Sequence, residues 1–308
     1  MKTLMQRRSL LFALAAGLLF TGCASRGSEE APNGEVPEHA DGVSVGTVRT
    51  EEFSMDYIRF GRGSKTLVIL PGLSVQSVTG SAEAVARAYE PFSDEYTVYL
   101  FDRRKELPES YTVKEMARDT AEAIRVLGLR DICLFGASQG GMIAGTIAAG
   151  NPDLVKALAL GSTAVRVTPA GFRTVENWVG LAKSGDAEGL YLAFGERVYP
   201  PEVFEQYREI LTETAKTVTE AELKRFIVLA KGMKDFDMTD ELAHIECPVL
   251  VLESRDDEVL GPEAAEQFEE LADIRPDFEL YLYEGYGHAA YDTAPDYKDR
   301  LARFFMER

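Results

Sequence analysis

The sequence predicts a doubly wound α/β fold, in which an all-helical cap is inserted between two late strands of a mostly parallel sheet. From Val43 onward, short apolar runs alternate with amphipathic helical segments. This alternation is typical of parallel strands that are covered by helices on both faces. The alternation stops after Gly161, and apolar strand patterns resume only at Pro248. The residues between these two points contain helical patterns, which predict the cap.

The elements follow from the periodicity of each segment. The first two strands form a half-buried hairpin, and the later runs are continuously apolar, as strands buried on both faces are. The predicted strands are residues 43–50, 55–60, 67–70, 96–101, 131–135, 157–160, 248–252 and 278–283. The predicted helices are 82–89, 113–127, 142–149, 201–214 and 220–231, with one further helix after each of the last two strands.

Composition divides the chain into four parts. We expect a signal peptide at 1–22, a flexible tether at 23–42, an α/β core built from 43–163 and 243–308, and a helical cap at 164–242. The tether is polar and acidic without any apolar period, which is typical of a flexible segment.

The charge and the cysteine count exclude several classes of protein. The 308 residues contain 33 Lys and Arg against 51 Asp and Glu, a net charge of −18. A nucleic-acid partner is therefore not expected, because binding to phosphates needs a cationic surface. Three Cys and three His provide neither a disulfide framework nor a metal-ligand spacing. Cys133 and Cys247 lie in apolar strand patterns and are expected to be buried free thiols.

The N-terminus carries the pattern of an export signal. Basic residues precede an apolar run at 10–20, which is too short for a membrane span of about 20 residues. Thr21, Gly22 and Cys23 follow, and this ending resembles the lipobox of bacterial lipoproteins. The resemblance implies an exported protein that is anchored to a bacterial membrane through lipid on Cys23. The alternative is an ordinary signal peptide with an unmodified cysteine.

The chain contains a G-x-S-x-G motif at Gly136, Ser138 and Gly140, between a predicted strand and a predicted helix. A nucleophile elbow has this context, because the sharp turn exposes the serine hydroxyl and small neighbours relieve crowding. The helix N-terminus behind the serine also offers free N–H groups to a developing anion. The alternative is a structural serine that caps the helix.

Together these features resemble the α/β-hydrolase family, in its serine-nucleophile branch of esterases, lipases and haloperoxidase-like enzymes. The resemblance extends over nearly all the chain from Val43. It implies that Ser138 is the nucleophile and that His288, in a Gly-His turn after the last strand, is the general base. It also implies an oxyanion hole formed by the backbone N–H groups of Leu73 and Gln139.

The third member of the triad is an acid after the strand at 248–252. The family pattern Pro-x-Leu-x-x-x-Gly-x-x-Asp falls on Pro248, Leu250, Ser254 and Asp257, so Asp257 is predicted and Asp256 is the alternative. The other acidic residues of this segment, Glu253 and Glu258 among them, are expected to be mostly solvated. The segment 101–104 lies where the family has Asp-x-Arg-Gly, and we interpret it as structural.

The resemblance implies a serine hydrolase that cleaves an ester or related acyl bond of a small molecule, with no metal or organic cofactor. Acyl transfer, C–C bond hydrolysis and peptide hydrolysis use the same triad and remain alternatives. A surface lipoprotein that binds a ligand without catalysis is the alternative from another class. Aromatic residues of the cap either line an acyl pocket or form the core of the cap. They are Phe172, Trp178, Tyr191, Phe194 and Tyr199.

Overall fold

The computed structural model describes residues 42–275 and 277–308, which are built around one eight-stranded sheet. The strands are β1 (Ser44–Arg49), β2 (Ser54–Phe60), β3 (Lys65–Leu70), β4 (Tyr96–Arg104), β5 (Ile132–Ala137), β6 (Val155–Gly161), β7 (Val249–Ser254) and β8 (Phe278–Tyr283). Their order in the sheet is β1-β2-β4-β3-β5-β6-β7-β8. The predicted doubly wound fold is confirmed.

The sheet is antiparallel at one edge and parallel elsewhere. β1 pairs antiparallel with β2, and β2 pairs antiparallel with β4, so the predicted hairpin forms this edge. All pairs from β4–β3 to β7–β8 are parallel. Because parallel strands end at the same edge of a sheet, the loops after β3, β5, β7 and β8 meet there.

Helices cover both faces of the sheet and form the segment between β6 and β7. They are α1 (Ala82–Ala88), α2 (Val113–Val126), α3 (Gln139–Gly150), α4 (Pro169–Ser184), α5 (Ala187–Val198), α6 (Pro201–Ala215), α7 (Glu220–Lys231), α8 (Glu263–Ile274), α9 (Ala290–Thr293) and α10 (Tyr297–Met306). Capping boxes start α2 at Thr112 and α7 at Thr219, with Glu115 and Glu222 as the reciprocal partners.

The four helices α4–α7 follow β6 and precede β7, as the loss of strand patterns predicted. A short antiparallel bridge between Arg166 and Asp237 closes the base of this segment. Backbone hydrogen bonds from Val167 to Phe236 and from Met238 to Val165, at 2.9 and 3.0 Å, extend the bridge. The predicted domain boundaries, 164 and 242 among them, stay a prediction.

Both faces of the sheet are buried, which explains the continuous apolar runs. In β3, Val68 and Leu70 pack on the face that carries α2, α3 and the cap. Leu67 and Ile69 pack on the opposite face with α1 and α10. Successive side chains of a strand point to opposite faces, so a strand covered on both sides has no polar position.

The two cysteines of the described chain are free thiols in different surroundings. Cys133 in β5 is buried, as predicted, whereas Cys247 before β7 is only half-buried, so that part of the prediction is wrong. Cys247 lies in the connection that enters β7, not within the strand itself. Burial nevertheless raises the pKa of the Cys247 thiol to about 11.

The membrane-related predictions fall on the N-terminal segment. The predicted signal peptide, Cys23 and the tether up to residue 41 lie outside the described residues. In the remainder of the chain, none of the helices has both the length and the apolar character needed to cross a membrane.

Buried polar contacts join the cap to the core. In each case a side chain or backbone carbonyl of the cap forms a hydrogen bond with a side chain of the core. These hydrogen bonds hold the cap above the ends of the strands. The contacts are Tyr191 Oη to Gln76 Oε1 (3.1 Å), Arg225 Nη2 to Asp102 Oδ1 (2.7 Å), Gln139 Nε2 to the Leu229 carbonyl (2.8 Å) and Tyr199 Oη to Asp292 Oδ2 (3.3 Å).

The last of these contacts involves a strongly perturbed carboxyl group. Burial raises the pKa of Asp292 from 3.8 to about 6, although the Lys298 ammonium and the Tyr199 hydroxyl oppose the shift. The folded protein therefore binds a proton at Asp292 more tightly than the unfolded chain does. The resulting stabilisation is complete below pH 3.8 and is lost as the pH rises through 6.

We predict that Asp292→Asn removes this pH dependence. Relative to wild type, the free energy of unfolding of the variant should increase by about 2 kcal/mol between pH 4 and pH 7, because an amide does not ionise. Urea unfolding at several pH values measures the difference. Asp299→Asn, at an exposed position on α10, is the control and should follow the wild-type profile. Parallel profiles for Asp292→Asn and wild type would contradict the prediction.

Candidate active site

Ser138 occupies a sharp turn between β5 and α3. Its backbone has φ 54° and ψ −124°, a region that residues other than glycine rarely adopt. The Ser138 side chain makes no capping hydrogen bond to α3, so the structural alternative for this serine is not supported. The turn instead directs its hydroxyl toward His288, as a nucleophile elbow requires.

The two glycines of the motif allow the elbow to pack against its neighbours. A Cβ atom at Gly140 would lie 2.0 Å from the Leu70 carbonyl oxygen, and one at Gly136 would lie 2.2 Å from the Gly140 carbonyl oxygen. Both distances are far below van der Waals contact, so any larger residue would displace the turn. The motif therefore places the N-terminus of α3 directly on the end of β3.

Three residues from three separate loops form a chain of hydrogen bonds. His288 Nε2 is 2.9 Å from Ser138 Oγ, and His288 Nδ1 is 2.7 Å from Asp257 Oδ2. All three residues are buried, with exposed fractions of 6% for Ser138, 3% for His288 and 2% for Asp257. The structure thus brings the three predicted residues together in the geometry of a Ser-His-Asp triad. Their catalytic roles remain predictions.

The second oxygen of Asp257 is held by the backbone. Asp257 Oδ1 accepts hydrogen bonds from the N–H groups of Val259 at 2.7 Å and Leu260 at 3.0 Å. With one oxygen fixed by two amides, the other has a single orientation toward the imidazole. Both carboxylate oxygens of Asp257 are therefore engaged, Oδ1 by the loop after β7 and Oδ2 by His288.

The carboxylate of Asp256 contacts Ser254 and Gly287 rather than the His288 ring. It is exposed and accepts hydrogen bonds from the Ser254 hydroxyl at 3.0 Å and from the Gly287 N–H at 3.1 Å. Asp256 contacts the turn that carries His288, but it accepts its hydrogen bonds from a serine hydroxyl and a backbone N–H and not from the imidazole ring. The structure therefore places Asp257, and not the alternative Asp256, next to His288.

Glu253 is a second buried acid beside the triad, which the sequence did not indicate. It is fully buried at the end of β7 and accepts hydrogen bonds from the N–H groups of Thr163 at 2.8 Å and Ser254 at 3.0 Å. Burial and the neighbouring charge of Asp257 raise the pKa of Glu253 well above its ordinary value. Asp256 and Glu258 are exposed as expected, whereas Glu253, which was expected among the solvated acids, is buried.

The predicted oxyanion donors lie beside Ser138. Gly72 approaches so closely that a Cβ atom there would be 3.2 Å from Ser138 Cβ, and Leu73 lines the same cavity as Ser138. Within the described chain, neither the Leu73 N–H nor the Gln139 N–H donates to a protein acceptor. Two free amides near a nucleophile are what an oxyanion hole provides.

A small cavity lies over Ser138 and His288. Its volume is about 20 Å³, which holds about one water molecule. The cap and the core share its walls, and the rings of Trp178 and Phe194 meet there with centroids 4.5 Å apart. The lining is largely apolar, with Val198, Met233 and Val259 as further members.

The aromatic residues of the cap divide between the two predicted roles. Trp178, Phe194 and Tyr199 line the cavity over Ser138. Tyr191 is buried away from it and bonds to Gln76, and Phe172 packs on the hydrophobic core. The sequence could not separate these two sets, because helical spacing alone does not say which face meets the nucleophile.

The described residues contain no cluster of three or more His, Cys, Asp or Glu side chains that could hold a metal ion. The groups that are present can act on a carbonyl compound without one. A serine hydroxyl bonded to an imidazole can become a nucleophile, and the two free amides can bind the resulting oxyanion.

Comparison with known proteins supports the fold. The model of the alpha/beta hydrolase family matches residues 67–302. A relative from Agrobacterium fabrum, named "Putative carbamate hydrolase RutD", is 26% identical over 250 residues, which cover 78% of this chain and 93% of that protein.

Solved structures show the same architecture. MGS-M2, an alpha/beta hydrolase enzyme from a Medee basin deep-sea metagenome library, is 24% identical with a TM-score of 0.74, covering 84% of this chain and 97% of that one. The enol-lactonase from Burkholderia xenovorans LB400 is 19% identical with a TM-score of 0.71, covering 85% of this chain and 100% of that one. The chain belongs to the α/β-hydrolase family.

We predict different outcomes for the two adjacent aspartates. Asp257→Asn should lower kcat by up to about 10⁴, because the amide favours the wrong His288 tautomer. Asp256→Asn should stay within about tenfold of wild type, since an amide oxygen can still accept the Gly287 N–H. Steady-state kinetics on both folded variants tests this pair. The reverse order of effects would assign the acid to Asp256, and equally mild effects would place it elsewhere in the chain.

Proposed function

We propose that this protein is a serine hydrolase that cleaves carboxylic esters of small molecules through an acyl-enzyme. The observation that carries the proposal is the continuous hydrogen-bonded chain from Ser138 Oγ through His288 to Asp257 Oδ2. The chain is buried beneath an apolar cavity, where charge interactions are stronger than in water. The free amides of Leu73 and Gln139 support the same chemistry.

The proposed reaction has two stages. Ser138 Oγ attacks the carbonyl carbon while His288 Nε2 accepts the hydroxyl proton, and the oxyanion binds the N–H groups of Leu73 and Gln139. His288 then gives the proton to the leaving alkoxide, which departs as an alcohol. Water repeats the attack on the acyl-enzyme with His288 as the base, which releases the acid and restores Ser138. Asp257 holds the imidazole in the tautomer that both stages need.

The size and lining of the cavity favour a short, uncharged acyl group. A volume of about 20 Å³ is smaller than any ester, so Trp178 and Phe194 must shift when the substrate enters. An acetyl group requires the least displacement. Larger acyl groups would have to separate the cap helices, which buried polar contacts hold to the core.

A carbamate is the second candidate substrate. The observation in its favour is the sequence relative from Agrobacterium fabrum that bears the name of a carbamate hydrolase. The same attack by Ser138 on a carbamate carbonyl would form a carbamoyl-enzyme. Acyl transfer, C–C bond cleavage and peptide hydrolysis differ from ester hydrolysis in pocket shape and in access of water, and no specific observation favours them.

We predict that wild-type protein hydrolyses p-nitrophenyl acetate and that Ser138→Ala retains less than about one per cent of the activity. The substitution removes only a hydroxyl, and alanine is small enough for the elbow. Release of p-nitrophenol gives the rates, and circular dichroism shows that the variant is folded. Thr163→Ser, outside the triad, is the control for a small change at the elbow.

A folded Ser138→Ala variant that keeps more than that residual rate would exclude the covalent mechanism. An inactive wild type on acetate and on longer p-nitrophenyl esters, together with activity on a p-nitrophenyl carbamate, would favour the second candidate. Inactivity on every substrate would favour the ligand-binding alternative.

We also propose that the protein is exported and anchored to a bacterial membrane by lipid on Cys23. The lipobox-like ending at residues 21–23 supports this proposal, as does the basic and apolar segment before it. One acyl chain alone binds a membrane only marginally, so stable anchoring would depend on several chains at this cysteine.

We predict that the full-length protein, expressed in a bacterium that modifies lipoproteins, incorporates labelled fatty acid and partitions into the detergent phase. Cys23→Ser should abolish both, because serine offers no thiol for the lipid. Cys247→Ser is the matched control and should behave as wild type, since this thiol lies in the folded part of the chain and outside the lipobox-like ending. Wild-type protein that remains unlabelled in the aqueous phase would remove the anchor.

A further inference from the structure

Arg103 is a buried cation directly behind the candidate oxyanion hole. It belongs to the end of β4 and is 4% exposed. Its Nη2 donates a hydrogen bond of 2.7 Å to the Pro71 carbonyl and one of 3.3 Å to Gln139 Oε1. The guanidinium thus touches the two segments that carry the predicted oxyanion donors, Leu73 and Gln139.

Arg103 and the first turn of α3 hold the loop of Pro71, Gly72 and Leu73 from two sides. A Cβ atom at Gly140 would lie 2.5 Å from the Pro71 carbonyl oxygen, so the first turn of α3 packs against the same carbonyl that Arg103 binds. Gly72, the next residue, packs against Ser138. Loss of the guanidinium would leave the Pro71 carbonyl without its hydrogen bond from the arginine and the loop free to move away from Ser138.

The charge of Arg103 is only partly compensated by its neighbours. Asp102 is the adjacent carboxylate, and its Oδ1 also accepts from Arg225 Nη2 at 2.7 Å, while its Oδ2 accepts from Ser77 at 2.6 Å. Asp102 Oδ1 accepts from the backbone N–H of Arg103 at 2.7 Å, so the ion pair of Asp102 is with Arg225, and no ion pair is formed by the Arg103 guanidinium within the described chain. Arg103 Nε and Arg225 Nη1 are buried without hydrogen-bond partners among the described residues. Burial of an uncompensated positive charge raises the free energy of the folded state, so the position of Arg103 calls for a functional explanation.

We propose that Arg103 is a positioning residue of the oxyanion hole. It holds the Pro71–Leu73 loop and the Gln139 side chain, and it places a positive charge behind the two amides that face the developing oxyanion. Gln139 in turn donates to the Leu229 carbonyl of α7, so the same contacts connect the oxyanion hole to the cap. Burial lowers the pKa of Arg103 to about 10, which leaves it charged at neutral pH.

The inference rests on the proposed function, and its test measures both. Arg103→Met should lower kcat on p-nitrophenyl acetate by about 10- to 30-fold with KM within about threefold, less than loss of a direct oxyanion donor. Arg103→Lys keeps the positive charge and can still donate to one of the two acceptors, so its kcat should recover to within about fivefold of wild type. Inhibition by a trifluoromethyl ketone, which forms a tetrahedral oxyanion with serine, should weaken in Arg103→Met by the factor lost in kcat/KM.

Arg104→Met is the matched control from the neighbouring position. Arg104 pairs with the buried carboxylate of Asp119 at 3.1 Å, so its loss should reduce stability while kcat stays within about twofold. Arg103→Met with wild-type kcat and inhibitor affinity, where Ser138→Ala is inactive, would overturn the role of Arg103 alone. A KM change without a kcat change, or a kcat loss that Arg104→Met reproduces, would also overturn it. Wild-type protein without Ser138-dependent hydrolysis would overturn both proposals.

Discussion

The backbone of Ser138 is the constraint on which the rest of the site depends. Its positive φ turns the chain from β5 into α3 within one residue and leaves the hydroxyl free of any capping bond. Such a conformation costs of order 1–3 kcal/mol and persists only when its surroundings hold it. The surroundings do so through backbone contact at Gly140 and a 2.7 Å hydrogen bond from the Thr163 hydroxyl to the Ser138 carbonyl.

The loops that complete the site follow from the sheet. Strands β3, β5, β7 and β8 end at one edge, so segments far apart in sequence supply the proposed oxyanion loop, nucleophile, acid and base. The helices α4–α7 then cover this edge and leave a cavity for about one water molecule. A substrate of the proposed reaction would displace cap side chains to reach Ser138.

The fold was accessible from the sequence because it depends on local patterns, and the three residues that meet at the elbow were predicted through the resemblance to the α/β-hydrolase family. Continuous apolar runs predicted buried strands, and the glycines around Ser138 marked a turn that only small residues permit. The electrostatic surroundings were not accessible. From the sequence, Glu253 is one of several acids in a polar loop and Arg103 is part of a segment interpreted as structural. Burial and pairing across the sheet produce no periodic sequence pattern by which either residue could be recognised. The prediction that Cys247 is buried was wrong because this residue lies in a partly exposed connection before β7, which its apolar sequence context does not reveal.

The central claim is that the elbow and the triad make Ser138 a nucleophile. Treatment of the folded protein with a fluorophosphonate, followed by peptide mapping with tandem mass spectrometry, tests this claim most directly. The hydrogen-bonded chain to Asp257 predicts a single adduct, on Ser138, whose formation slows sharply in His288→Ala. A protein that stays unmodified, or that carries the adduct on another residue, would contradict the claim.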